Sequence, residues 1–152
     1  MTDMDKLNKI QLIFRLAVKS DIPHMEQLRL AVKENRLADP SKIKTHMYED
    51  YLDVEGCTWV CEVLGKVVGF GAANKHTANI WALFICEDFE SLGIGQKLMS
   101  YMLSWLHDLG HKQANLSTES GTRAEKFYKM NGWQIVQQHN DNEIEFVKNL
   151  RE

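Results

Sequence analysis

The residues best placed to do chemistry are Glu90-Ser91-Leu92-Gly93-Ile94-Gly95. They sit between the apolar run Ile80 to Cys86 and a helical stripe of Leu98, Met99, Met102, Leu103 and Leu106. The first N–H groups of a helix lack internal acceptors, and the helix dipole makes that end positive. Phosphate oxygens fit there, and Gly93 and Gly95 lack the Cβ atoms that would hold a ligand off the main chain. The six residues form a candidate pyrophosphate cradle; a tight strand-to-helix turn with no ligand would have the same spacing. A dinucleotide fingerprint would need glycine where Leu98 stands, and a P-loop would need Gly-Lys-Ser/Thr where Gly95-Gln96-Lys97 stands.

Positioning such a loop takes a strand before it and a helix after it. The run Ile80 to Cys86 predicts a strand buried on both faces, and the stripe predicts a helix closing at Gly110. Upstream, residues 1 to 10 read as a loose leader and Gln11 to Val18 as a first strand. A helix follows, N-capped by Ser20 with Pro23 in its first turn. A second helix, Ser41 to Leu52, carries Ile43, Met47, Tyr48 and Tyr51. Thr58 to Leu64 and Val67 to Ala73 read as a hairpin about Gly65-Lys66, with Gly69 and Gly71 marking a bulge or close backbone approach. Downstream come a short strand Gln113 to Ser117, a helix Arg123 to Asn131, and a hairpin of Gln134 to Gln138 with Ile144 to Val147 about His139-Asn140-Asp141-Asn142. The expectation is an α/β (α+β) fold, a mixed sheet with helices on both faces.

Composition narrows the function classes. The 152 residues suit one domain, 1–152. A balance of 18 basic against 21 acidic residues, with no basic block, argues against nucleic acid. No apolar run approaches a membrane span, and the polar N-terminus is unlike a signal peptide. The three cysteines (Cys57, Cys61 and Cys86) are odd in number, which suits free thiols in a reducing, cytoplasmic setting. Neither they nor the six histidines show metal-ligand spacing, so no metal is expected.

Two segments together resemble the GNAT family of N-acetyltransferases. The family writes its acetyl-coenzyme A loop as Gln/Arg-x-x-Gly-x-Gly/Ala, and here it stands as Glu90 to Gly95. A later helix, Asn-x-x-Ala-x-x-Phe-Tyr-x-x-x-Gly-Phe in the family, stands here as Gly121 to Trp133, with Ala124, Phe127 and Tyr128 in place. The element order matches from about residue 11 to 149. The resemblance implies two central strands that splay apart and an acetyl-coenzyme A donor entering the gap. It implies that Leu83-Phe84-Ile85 pair their main chain with the pantetheine arm, that an N–H near Ile85 polarises the thioester, and that N–H groups from Leu92 to Gly95 take the pyrophosphate. Two positions depart from the pattern. Glu90 puts a carboxylate where the family has a cation or amide, and Gly121 replaces an asparagine that would contact the pantetheine arm.

Transfer from a thioester to an amine needs a neutral amine, a held oxyanion and a proton for the leaving thiolate. The resemblance places Tyr128 as the acid, and a phenol of reference pKa about 10 is protonated at neutral pH. For the base, Glu119 comes first, then Glu62, His46 and His76; a water chain with no single base is the alternative. The acceptor, a small-molecule or peptide amine, would lie among the two early helices, the Asn35 to Pro40 loop, and Tyr48, Tyr51, Trp59 and Trp81. Gly69, Gly71 and the last hairpin leave room for a homodimer. Two rival readings are a non-catalytic acyl-coenzyme A sensor or partner module, and a phosphate-binding α/β protein of another kind.

Overall fold

The computed structural model describes residues 10–31, 43–139 and 142–150. The expected leader (residues 1–9), the Asn35 to Pro40 loop, the start of the second helix at Ser41 and the centre of the last turn lie outside them.

The first strand, β1 (Ile13–Leu16), is shorter than its apolar run. A 3-10 turn, Lys19–Asp21, leads into α1 (Ile22–Ala31). Asp21, not Ser20, secures this entry. Its carboxylate accepts the Val18 N–H at 2.8 Å and two Arg15 guanidinium N–H groups at 2.8 and 2.9 Å. At 5% exposure such a carboxylate needs these donors, because an unpaired buried charge is strongly unfavourable. The Arg15 guanidinium holds the Asp21 carboxyl below the usual range.

After α2 (Thr45–Asp53), the strands β2 (Gly56–Val63), β3 (Lys66–Asn74) and β4 (Ile80–Ile85) complete an antiparallel sheet of order β1-β2-β3-β4. Alternation gives this sheet two apolar faces. Val60, Phe70, Ala72 and Ala82 pack under Ile22, Met25 and Leu28 of α1 and Tyr48 and Tyr51 of α2. Trp59, Cys61, Val63 and Val68 pack against Leu98, Met99, Met102 and Leu106 of α3 (Ile94–Asp108). Gly69 and Gly71 mark close approach. A Cβ on Gly71 would come within 2.8 Å of Met102 Cε, and one on Gly69 within 3.0 Å of Ile85 Cδ1. The ladder also shifts register between Cys61 and Glu62, where Gly69 pairs.

A second antiparallel sheet, of order β5-β7-β6, is built from β5 (Gln113–Glu119), β6 (Gln134–Gln138) and β7 (Glu143–Asn149). α4 (Arg123–Met130) covers one face, where Leu116, Ile144 and Phe146 join the core beneath α3. The expected mixed sheet, splayed at its centre, is two antiparallel sheets that meet in a parallel contact. The join between β4 and β5 is one parallel bridge, Asn79 to Asn115. Asn115 N–H donates to the Ala78 carbonyl at 3.0 Å, and Asn79 Nδ2 to Asn115 Oδ1 at 2.8 Å. Beyond this clasp the strands diverge.

Candidate active site

Divergence of β4 from β5 leaves one edge of β4 open. On the other edge Cys86 N–H donates to the Val68 carbonyl at 2.8 Å. Main-chain groups alternate by two along an antiparallel ladder, so Phe84 also faces β3. The N–H and C=O of Leu83 and Ile85 then face the open edge. This explains why β4 is not buried on both faces as its composition predicts. Ile80 and Ala82 are buried, whereas Leu83, Phe84 and Ile85 are half-buried and line a cleft of about 540 Å³.

The loop after β4 closes one end of that cleft. Glu87, Phe89, Glu90, Ser91, Gly93, Ile94 and Gly95 all line it. Gly93 is the N-cap of α3 in the left-handed region, φ +81°, with no side-chain cap. Its Cα faces open space, where an added Cβ would meet nothing within 4 Å. Ser91 also has positive φ, +68°. Successive residues of opposite hand turn N–H groups into one concavity, which suits an anion. Leu92 is exposed and is not part of the cleft wall.

The opposite wall is α4. Ala124, Phe127 and Tyr128 line the cleft with Arg123. Thr122 caps the helix by accepting the Glu125 N–H at 3.3 Å, and Glu125 accepts the Gly121 N–H at 2.8 Å. Lys129 and that N–H hold the Glu125 carboxyl below its ordinary value. Gly121 thus serves the turn. Its φ of +82° suits glycine, and it is exposed and outside the cleft wall. The Gly121 N–H is thus taken up by Glu125.

Tyr128 is 7% exposed. Phe127, Trp133 and Phe146 surround it with ring centroids at 5.5, 5.8 and 5.8 Å. Burial among these rings pushes its phenol well above the usual tyrosine range, so the hydroxyl stays protonated.

The Glu90 carboxylate does not stand alone at the cleft mouth. Arg123 Nη1 reaches across from α4 and pairs with Glu90 Oε2. The side chains are 34% and 62% exposed, so the pair adds little stability, about 0–1 kcal/mol. Its consequence is local, since it puts a guanidinium beside the carboxylate that would otherwise repel a pyrophosphate. The sequence reading missed Arg123. The signal available was its position inside the helix motif that faces the loop.

The expected base and acceptor residues are scattered. Glu62 accepts from Arg15 Nε at 3.2 Å on the β1 side of the first sheet, two strands from β4. His46 opens α2 and His76 lies in the turn after β3; both are exposed and outside the cleft wall. Glu119 ends β5, exposed, and is not in the cleft wall either. Because Ala114 and Leu116 belong to the α3 face, alternation turns Asn115, Ser117 and Glu119 to the side that α1 and α2 occupy. Tyr48, Tyr51 and Trp81 do cluster there, Tyr51 stacking on Trp81 at 4.3 Å and Tyr48 meeting it edge-on at 5.3 Å. Trp59 does not join them. It faces α3, stacked on Tyr101 at 6.4 Å.

Among the described residues, no group of three potential metal ligands converges, and no helix is long and apolar enough to cross a membrane.

Comparison with known proteins agrees with this geometry. The model of the acetyltransferase (GNAT) family matches residues 23–133. No curated protein sequence matches the chain. The fold is similar to an acetyltransferase of the GNAT family from Staphylococcus aureus Mu50, with a TM-score of 0.79 and 15% identity, covering 93% of this chain and 100% of that one. It is similar to the ribosomal-protein-S18-alanine N-acetyltransferase of Escherichia coli, with a TM-score of 0.75 and 12% identity over 93% and 96% of the chains. It is also similar to yncA of Salmonella typhimurium, solved with its cofactor acetyl-CoA, with a TM-score of 0.73 and 16% identity over 93% and 95%. Strand, glycine loop and Tyr128 helix all fall inside the matched residues, and the chain belongs to the GNAT family of acetyltransferases.

Proposed function

We propose that this single-domain protein is an acetyl-coenzyme A-dependent N-acetyltransferase that passes the acetyl group directly to a primary amine of a small molecule or peptide. The observation that carries the reading is the open edge of β4, which shares one cleft with the α3 loop and Tyr128. The Leu83 and Ile85 main chain is free to pair with an extended pantetheine arm as an added strand would. The loop from Ser91 to Gly95 supplies N–H groups for the pyrophosphate, with Arg123 offsetting Glu90. Tyr128 donates the proton that the departing thiolate takes up. Glu119, on the acceptor side of β5, is our candidate to relay the amine's proton through water.

Direct transfer is supported by the lining of the cleft: none of Cys57, Cys61 and Cys86 is part of its wall, so no thiol is placed there to carry a covalent acetyl intermediate. The pairing of Glu90 with Arg123 weakens the case for a non-catalytic acyl-coenzyme A sensor, because the carboxylate that motivated it is compensated.

The test is a thermal shift with coenzyme A, acetyl-coenzyme A and longer acyl forms, followed by an amine screen read by thiol release. A ligand held only by the folded state at a hundredfold excess over its Kd adds about 2.7 kcal/mol of stability. A shift with acetyl-coenzyme A and amine-dependent thiol release are expected. A shift with no thiol release from any amine would favour the sensor, and no shift would overturn both.

A further inference from the structure

One charged group beside β4 is only partly satisfied by the fold. Arg29 of α1 packs over two rings of β4, its guanidinium carbon 5.1 Å from the Trp81 centroid and 4.8 Å from that of Phe84. Its Nε and Nη1 are buried and meet no hydrogen-bond acceptor among the described residues. Burial raises the Tyr48 phenol, and the charge of the same guanidinium and a hydrogen bond with it offset part of that rise. Cation–π contact accounts for the faces of a guanidinium and Tyr48 for one hydrogen bond, which leaves Nε and Nη1 unmet. Contrast Arg15, whose donors are met by Asp21 and Glu62.

Position turns this oddity into a site. Phe84 both carries the Arg29 guanidinium and lines the donor cleft. Arg29 is therefore separated from the cleft by one side chain. A planar guanidinium packed over rings presents its fork to a planar anion, and a carboxylate is the small planar anion that matches it. An acceptor with a second positive charge would meet repulsion at this point. Beyond the Asn79–Asn115 clasp, the facing side of β5 carries the polar residues Ser117 and Glu119.

We propose that Arg29 is the specificity residue of the acceptor site and binds a carboxylate. The acetylated amine then belongs to an amino-acid-like small molecule bearing both groups. This rests on the N-acetyltransferase reading above. The Trp81 and Phe84 rings hold the guanidinium in plane, the acceptor carboxylate satisfies its buried donors, and the amine is left directed toward the open edge of β4.

The test compares free amino acids with their own carboxamides as acceptors, by thiol release, in the native protein, Arg29→Gln and Arg29→Lys. In the native protein, acids should exceed amides about 100-fold in kcat/KM, because the amide leaves charged donors unmatched. Arg29→Gln should bring that ratio close to one, chiefly through KM. Arg29→Lys, which keeps the charge but loses the fork, should fall between. The acetyl-coenzyme A thermal shift should be unchanged in both variants. Equal use of acids and amides by the native protein, or a preference that survives Arg29→Gln, overturns the proposal and leaves the transferase reading standing. Loss of the acetyl-coenzyme A shift in the native protein overturns that reading instead. A direct readout needs no turnover. The Arg29 Nε–Hε resonance, assigned by its loss in Arg29→Lys, is titrated with glycine, alanine and glutamate and with glycinamide and alaninamide, in the presence of coenzyme A. A saturable shift with the acids alone supports the site, and no shift with any of them overturns it.

Discussion

The two sides of the β4–β5 gap are built from different material. The α3 side, which we assign to the donor, is made largely of main chain: the Leu83 and Ile85 edge and the N–H groups between Ser91 and Gly95. The α1–α2 side, which we assign to the acceptor, is made of side chains: Arg29, Tyr48, Trp81 and Phe84. A main-chain surface survives changes of side chain. Glu90 and Gly121 both depart from the family pattern, yet the loop keeps its left-handed turn at Gly93, and the α4 N-terminus is capped by Thr122 and Glu125. A side-chain surface has no such tolerance, because each group on it selects a ligand.

That contrast can be broken most sharply at the proposed acid, which lines the cleft from α4. Tyr128→Phe should lower kcat by about 10²–10³-fold, as loss of a general acid does, with acetyl-coenzyme A affinity little changed. An unchanged kcat would remove Tyr128 as the acid.

Gly93→Val probes the main-chain side alone. It forces a β-branched residue to φ +81° and fills the cradle. Coenzyme A affinity should fall about 10-fold or more by calorimetry, a strain of 1–2 kcal/mol being worth that factor, while the amino acid to amide preference stays as it was. A change in acceptor preference without loss of coenzyme A binding would invert the assignment of the two sides.

Next in size is a pair of tryptophans on opposite faces. Trp81→Leu should raise the acceptor KM several-fold, because it removes one of the rings that hold Arg29. Trp59→Leu should cost about 1–3 kcal/mol of stability in denaturant melts, within the usual range for core substitutions, and leave both KM values alone.

The alkaline limit is smaller and separable. Tyr128 is neutral when folded, with a pKa above that of the unfolded chain, so its contribution is fully present below about pH 10 and is lost as pH rises beyond it. Unfolding midpoints of the native protein should therefore drop above pH 10 more steeply than those of Tyr128→Phe. Asp21 has the opposite sign: Arg15 depresses its pKa, so its contribution is present above the unfolded carboxylate value and is lost as pH falls below about 4.

The smallest effect belongs to the cleft mouth. Glu90→Gln should tighten coenzyme A a few-fold, and Arg123→Ala should weaken it by a similar factor. The double variant should show coupling below about 1 kcal/mol that fades with added salt. Additive effects would mean that the two residues act on the ligand independently.

Much of this molecule was legible in the chain because it is written in local periodicity. The α3 stripe, the hairpin about Gly65-Lys66 and the Gly93 turn each follow from a few neighbouring residues, and the paired motifs fixed the family. Tyr128 was legible because its helix motif is local as well. Sequence could not show that β4 is half-exposed after Ala82, since burial of an apolar strand depends on what pairs with its far edge, and here β5 diverges after Asn79 and Asn115. Nor could it separate Trp59 from Trp81, because strand alternation and register decide which face each ring takes. The partners of charged side chains are the most remote information. Glu62 looked like a base until Arg15, 47 positions away, claimed it. Arg123 met Glu90 from 33 positions away. Arg29 is one arginine in an ordinary amphipathic helix until the fold lays it over Trp81 and Phe84. Local hydrogen bonding and periodicity determined the elements and the glycine loop before α3; only tertiary packing, which joins residues distant along the chain, decided which charged groups are paired with one another.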